Sequence, residues 1–140
     1  MEENNSRITG ISHIGIAVPD IGEARRLYEL LGFCSEMEEV LAEEDYGVRV
    51  LMMSQGSQRI ELLEPLEKGK ESPIDSYIEK KPYKMYHLAY FVSDLEAQIK
   101  LLGQKKFLMI SQPRASACAK GKRAVFMFHR KMGIIELVEE

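Results

Sequence analysis

Apolar and polar positions along the 140-residue chain follow the period of a strand, then that of a helix, then that of strands again. Residues 12–18 alternate as in a half-buried strand, and from Ile21 to about Leu31 the apolar positions recur every three or four residues. Asp20 is placed to cap the start of this helix, and Gly32 is placed to end it. Three further strands are predicted at about 34–40, 47–53 and 58–64.

The same succession returns 74 residues later in the chain. The segment His13-Ile-Gly-Ile-Ala-Val-Pro-Asp20 recurs as His87-Leu-Ala-Tyr-Phe-Val-Ser-Asp94. A second helix is predicted from Leu95 to about Lys105, followed by strands at about 107–111, 122–129 and 133–138. We therefore expect a single domain of residues 1–140 that contains module 1 (about 8–66), a connector (67–83) and module 2 (about 84–140), each module with the order βαβββ.

Each copy carries one histidine and one glutamate at matching places. Glu61 follows His13 by 48 residues, and Glu136 follows His87 by 49 residues. Both glutamates lie in an Ile-Glu-Leu strand, where a carboxylate must be paired, hydrogen-bonded or bound to a metal. Taken singly, each residue could be an ordinary buried polar group. Together, two imidazoles and two carboxylates predict one site for a divalent ion such as Zn, Co, Ni or Mn.

The strand period indicates how these four residues could meet. His13 shares a strand face with Gly15 and Ala17, and His87 shares one with Ala89, so small neighbours leave room beside each imidazole. The one-residue difference between the two His-to-Glu spacings predicts an insertion in a loop of the second copy.

Charge is distributed unevenly along a chain whose net charge is −3. No Asp or Glu occurs from residue 97 to residue 135, where nine Lys and Arg residues lie. Such a basic segment suits a local anionic ligand, for example a phosphate, and it equally suits a solvated basic face. The candidate anion-binding residues are Arg114, Lys120, Lys122 and Arg123.

Several classes of function are disfavoured. No aromatic-interleaved basic motif accompanies the charge, which argues against nucleic acid. No apolar run approaches the roughly 20 residues that span a bilayer. The polar start of the chain lacks the apolar region of a secretory signal, so a cytoplasmic location is expected. Cys34 and Cys118 form no CxxC motif and are interpreted as reduced thiols.

The paired plan, with His13, Glu61, His87 and Glu136 at matching positions, resembles the vicinal oxygen chelate superfamily. This superfamily includes glyoxalase I, methylmalonyl-CoA epimerases, extradiol dioxygenases and bleomycin-resistance proteins. Four segments are similar to the epimerases in particular: His-Ile-Gly-Ile-Ala-Val-Pro-Asp, Ile-Glu-Leu-Leu-Glu-Pro-Leu, Ser-Pro-Ile and Ile-Glu-Leu-Val-Glu. The resemblance implies an α+β fold in which the two modules form a half-open eight-stranded barrel around the metal, with the helices outside.

The resemblance also implies an activity. We expect a metal-dependent epimerase that works through a stabilised enolate of an acyl-CoA or other thioester, with Glu61 and Glu136 as the catalytic pair. A glyoxalase I-like lactoylglutathione lyase and a non-catalytic protein that binds a small ligand remain alternatives. A homodimer is possible under each of these hypotheses.

Overall fold

The computed structural model describes residues 7–67, 69–75, 84–116 and 119–140. Ten strands, two α-helices and one 3-10 helix lie in these ranges. The strands are β1 (Ile8–Ala17), β2 (Cys34–Ser35), β3 (Leu41–Glu43), β4 (Val48–Gln55), β5 (Gln58–Pro65), β6 (Lys84–Val92), β7 (Leu108–Met109), β8 (Arg114–Ala115), β9 (Arg123–His129) and β10 (Gly133–Glu139). The helices are α1 (Ile21–Leu30), α2 (Leu95–Gly103) and the 3-10 helix (Glu44–Tyr46).

The chain forms two compact units whose boundaries lie inside strands, directly before His13 in β1 and directly before His87 in β6. We call residues 13–86 the N-terminal unit. The C-terminal unit consists of residues 87–140 and the start of the chain up to Ser12. The expectation of one domain made of both modules stays a prediction.

The two units contain sheets with the same strand order. In the N-terminal unit the order is β2-β4-β5-β1, with β3 also paired to β4. In the C-terminal unit, written from the equivalent edge, it is β7-β9-β10-β6, with β8 also paired to β9. In each, the histidine-bearing strand runs parallel to the glutamate-bearing strand, and the remaining pairs are antiparallel. The α+β class is confirmed, and the sheet of each unit is open and mixed.

Both helices begin where the sequence predicts. The Asp20 side chain accepts a hydrogen bond from the backbone N–H of Glu23 at 3.1 Å, and Asp94 accepts one from Ala97 at 3.0 Å. Such caps satisfy backbone donors that have no partner inside the helix. The second helix ends at Gly103, two residues before its predicted end near Lys105.

The helix ends are also equivalent, although only the first has a glycine at the left-handed position that follows the helix. Gly32 has a φ of 94° and Lys106, its counterpart, has a φ of 70°. The backbone N–H groups of the next residues, Phe33 and Phe107, donate hydrogen bonds at 3.1 Å to the carbonyl oxygens of Tyr28 and Leu102 in the preceding helices. Lysine in this left-handed conformation is strained, which glycine avoids.

Each unit packs its helix onto one face of its own sheet through an equivalent set of residues. The buried cluster of the N-terminal unit is Val18, Ile21, Leu51, Met53, Ile60 and Leu62. The buried cluster of the C-terminal unit is Val92, Leu95, Val125, Met127, Ile135 and Leu137. The repeat in the sequence is therefore a repeat of the packing.

The described residues contain two strands more than the eight expected, because the short strands β3 and β8 form outside the predicted segments. The predicted strand at 34–40 stops after Ser35, whose hydroxyl donates to the Met37 carbonyl at 2.6 Å and closes a turn. The chain resumes pairing as β3. In the second copy, β8 lies between the predicted strands at 107–111 and 122–129. Among the residues that the structure describes, no helix combines the length and apolar character needed to cross a membrane.

Part of the connector at 67–83 and Cys118 lie outside the described residues. Within the described part, the Asp75 carboxylate accepts hydrogen bonds from the backbone and hydroxyl of Ser72, at 2.8 and 2.6 Å. Ile74 is fully buried. Cys34 is an exposed free thiol.

Candidate metal centre

The N-terminal unit brings His13 and Glu61 together. Strands β1 and β5 run parallel, and Glu61 pairs with Gly15, two residues beyond the histidine on the same strand face. The histidine Nε2 and the glutamate Oε1 are 3.8 Å apart, and both side chains are buried. The histidine and the glutamate of the first copy therefore lie side by side, and the β1 residue that faces Glu61 is a glycine.

The C-terminal unit brings His87 and Glu136 together in the same way. Strands β6 and β10 are parallel, and Glu136 pairs with Ala89, again two residues beyond the histidine. The Nε2 to Oε1 distance is 3.2 Å. The relative exposures are 1% for the histidine and 4% for the glutamate, so neither group is solvated in the usual way. The same two atoms face each other in both units.

Both pairs lie on the sheet face opposite to the helix of their unit. Ile60 and Leu62, which flank Glu61 in β5, pack in the cluster beneath α1. Because successive side chains of a strand point to opposite faces, the glutamate points away from that cluster. Ile135 and Leu137 flank Glu136 in β10 with the same result.

The one-residue difference between the two copies lies in a hairpin turn. In the first copy, β4 and β5 pair up to Gln55 and Gln58, which leaves two residues in the turn. In the second copy, β9 and β10 pair up to His129 and Gly133, which leaves three residues in the turn. The extra residue lengthens the turn without changing the register of the strands. The predicted insertion is confirmed and placed.

Phe126 is a further residue beside the C-terminal pair that the sequence reasoning missed. It is the antiparallel partner of Glu136, and its ring meets the His87 ring edge-on at a centroid distance of 4.9 Å. Its counterpart beside Glu61 is Met52, which is fully buried. The sequence contained a signal for both Phe126 and Met52. Once the two glutamates are chosen, the register of each predicted hairpin gives the residue opposite the glutamate.

The donors in each unit fit adjacent positions around a divalent ion. Imidazole nitrogen and carboxylate oxygen bind such ions at about 2.0–2.2 Å. Two ligand atoms at that distance are about 3.0 Å apart at a right angle and about 3.4 Å apart at the tetrahedral angle. The Nε2 to Oε1 distance of 3.2 Å in the C-terminal pair lies between these values. The 3.8 Å of the N-terminal pair is slightly larger than the tetrahedral value. Each pair is therefore able to supply two ligands.

Arg123, one of the four candidate anion-binding residues, is engaged by carboxylates of its own unit. Its guanidinium donates to Glu139 at 2.8 and 3.1 Å and also pairs with Glu96 of α2. Its backbone N–H donates to Glu139 at 2.9 Å. The bonds to Glu139, and to a smaller extent those to Glu96, raise the pKa of the guanidinium above its usual range. The same bonds from Arg123 lower the pKa of Glu139. We assign Arg123 to holding β9, β10 and α2 together.

The other three candidates lie in the same β8–β9 segment. Arg114 is half-buried in β8 and pairs with Ala124 of β9, whereas Lys120 and Lys122 are exposed in the connecting loop. The backbone of Ser116 closes this loop by accepting from Ala119 and Gly121 at 3.1 Å. The three cations thus lie within one segment of nine residues, 114–122.

Comparison with known proteins identifies the class. The profile of the Glyoxalase/Bleomycin resistance protein/Dioxygenase superfamily matches residues 12–126, which is most of the chain. The chain therefore belongs to this superfamily, as the sequence resemblance indicated.

Particular relatives are named as epimerases. The mitochondrial methylmalonyl-CoA epimerase of Mus musculus is 32% identical over 131 residues, which cover 91% of this chain and 71% of the relative. The crystal structure of methylmalonyl-CoA epimerase from Mycobacterium tuberculosis is similar with a TM-score of 0.79 and 30% identity, covering 99% of this chain and 92% of that one. A methylmalonyl-CoA epimerase in complex with methylmalonyl-CoA and NH4+ gives a TM-score of 0.77 at 28% identity, with 96% of each chain covered. The expectation of an enzyme of the epimerase kind is confirmed.

Proposed function

We propose that His13, Glu61, His87 and Glu136 bind one divalent metal ion, which is Zn, Co, Ni or Mn, and that the protein epimerises an acyl-CoA thioester. One observation carries the proposal: a buried His Nε2–Glu Oε1 pair occurs twice, at the same register position of two repeated sheets. All four residues are buried and of metal-binding types. Two pairs of this kind supply the four ligands of one ion.

The chemistry of the donors suits this role. Two buried carboxylates would be costly without a positive partner, and one divalent ion offsets both charges. When bound, the ion supplies positive charge that stabilises the enolate formed as a carbon beside a carbonyl loses its proton. The helix-free face on which each pair lies keeps the imidazoles and carboxylates away from the packed helix core.

Glu61 and Glu136 are the proposed proton-transfer residues. Epimerisation removes a proton from one face of a carbon and returns a proton to the other face, so it requires two groups or one group that moves. A carboxylate has two oxygens, one of which can hold the ion while the other exchanges a proton. The two glutamates come from different repeats, which makes them a natural pair for the two faces.

The proposed substrate class rests on the relatives and on charge. Relatives carry the name methylmalonyl-CoA epimerase, and one solved structure holds methylmalonyl-CoA. Coenzyme A thioesters carry phosphates, whereas glutathione adducts do not. We define the phosphate-site residues as Arg114, Lys120 and Lys122, because Arg123 already binds two carboxylates. Arginine and lysine side chains bind phosphate through charge-assisted hydrogen bonds.

The decisive experiment follows exchange of the substrate α-proton. The enzyme, loaded in turn with each of the four metals, is incubated with methylmalonyl-CoA in deuterated water, and deuterium uptake and epimerisation are measured separately. The Glu136→Gln variant keeps an oxygen ligand and the side-chain volume but loses the base. Its exchange rate should fall by about 100- to 10,000-fold while metal content persists.

Controls separate the outcomes. Glu140→Gln makes the same change at an exposed glutamate of the same segment and should leave exchange unaltered. Glu61→Gln should reduce epimerisation at least as much as exchange if the two glutamates serve opposite faces. Full turnover in both Glu61→Gln and Glu136→Gln would place the base elsewhere. Turnover of the methylglyoxal–glutathione adduct in place of the CoA ester would favour the lyase, and turnover of neither would favour a binding protein.

A further inference from the structure

The N-terminal unit has an apolar groove between the end of β1 and helix α1, with a volume of about 330 Å³. Its apolar lining includes Ile16, Val18, Ala24 and Leu27. Ile16 and Val18 lie on the strand face that packs towards the helix, opposite to the face of His13. The groove is therefore separate from the proposed metal ligand of the same strand.

The C-terminal unit has larger side chains at two of the equivalent positions. Tyr90 stands where the groove has Ile16, and Gln98 stands where it has Ala24, each 74 residues further along. Gln98 is buried, with 7% of its surface exposed. The two equivalent leucines differ accordingly: Leu27 in the groove is 64% exposed, whereas Leu101 is half-buried. At these two positions the C-terminal unit therefore carries the larger side chains.

The charge at the groove is also particular to the N-terminal unit. Asp20 and Glu23 both line it, whereas the position equivalent to Glu23 in the other unit is Ala97. Tyr28 lines the groove as well, and burial raises the pKa of its phenol, so the hydroxyl is protonated at neutral pH. An apolar lining beside two carboxylates and a phenol complements a ligand that is apolar at one end and cationic at the other.

We propose that this groove binds a small aromatic amine, with the ring against Ile16, Ala24 and Leu27 and the ammonium group towards the carboxylates. In the other unit, an aromatic ring (Tyr90) and an amide (Gln98) stand at the positions of Ile16 and Ala24. The volume lies at the lower end of the range of small-molecule sites, about 300–1,000 Å³, which suits a single ring. The site is independent of the metal and of the proposed activity.

Titration with tyramine, followed by NMR of methyl groups in the presence of EDTA, tests the proposal. Saturable shifts are expected at Ala24 and Leu27. Ala24→Gln places the residue of the other repeat in the groove and should abolish them. Glu23→Ala, an exposed change that mimics the other unit, should weaken tyramine by about 2- to 5-fold, the range of an exposed ion pair. Hydroxyphenylpropionate, which has the same ring with a carboxylate, should bind more weakly than tyramine.

Three results would overturn the proposal. The first is an absence of saturable shifts in the wild type. The second is unchanged tyramine affinity in both Ala24→Gln and Glu23→Ala, the latter of which does not depend on repacking the core. The third is a dimer, measured by light scattering, that Ala24→Gln converts to a monomer, because a second copy of the chain would then occupy the groove. Metal-dependent activity does not enter any of these measurements.

Discussion

Replacement of His87 by alanine should remove most of the stability that the protein gains from a divalent ion. His87 is almost fully buried, with its Nε2 3.2 Å from Glu136 Oε1. The substitution leaves the carboxylate in place but deletes one of the four proposed ligands. The relevant quantity is the increase in melting temperature on adding metal, because the cost of the substitution to the apo protein cancels from that difference.

The size of the effect follows from mass action. At a free metal concentration of 100 times Kd, binding to the folded state alone adds about 2.7 kcal/mol. For a chain of this length that corresponds to roughly 10 °C in melting temperature. Loss of a direct ligand should weaken binding by at least about 100-fold, the upper end of what loss of an outer-shell partner costs. The same metal concentration then equals Kd, and the gain falls to about 0.4 kcal/mol, or roughly 1–2 °C.

Calorimetry with and without metal, at fixed pH and after EDTA treatment, measures both gains. The third histidine of the chain supplies a matched control. His129 lies at the end of β9, where its Nδ1 accepts from the Lys131 N–H at 3.1 Å and its ring packs against Phe107. His129→Ala should lower the stability of both forms but leave the metal-dependent gain intact. The reasoning is refuted if His87→Ala keeps the full gain, or if none of the four metals stabilises the wild type.

Three further outcomes are expected. Neutralising the phosphate-site residues should weaken binding of a CoA ester and reduce the salt dependence of its affinity measured by calorimetric titration, whereas unchanged affinity would leave only a solvated face. Leu62→Ala and Leu137→Ala remove equivalent, fully buried side chains and should each cost about 2–5 kcal/mol in urea unfolding, and clearly unequal costs would contradict the duplicated packing. Arg123 lowers the pKa of Glu139 below its ordinary 4.5, so the stability that this carboxylate contributes is present above that pH and is lost as the pH falls below it. The difference in unfolding free energy between wild type and Glu139→Gln, measured in urea, should therefore shrink from pH 7 to pH 3. A difference that stays constant would rule out the ion pair as its cause.

Local patterns of the sequence determined much of this protein. The capping aspartates, the helices, the main strands and the four candidate ligands follow from periodicity and from a repeat that preserves residue type at a fixed spacing. Even the hairpin insertion was implied by the spacing of His13 to Glu61 against that of His87 to Glu136. These features depend on neighbours within a few residues, or on a copy elsewhere in the same chain, so they can be read without coordinates.

Tertiary structure decided what depends on distant partners. The parallel register that sets Glu61 opposite Gly15 joins residues 46 positions apart, and no local signal fixes such a pairing. Arg123 looked like a phosphate ligand because its neighbours in sequence are basic, yet Glu96 and Glu139 reach it through packing of α2 and β10. The groove of the N-terminal unit likewise depends on which side chains of β1 and α1 lie together in the fold. Charge and volume act through space, and the chain order does not show which distant residues share it.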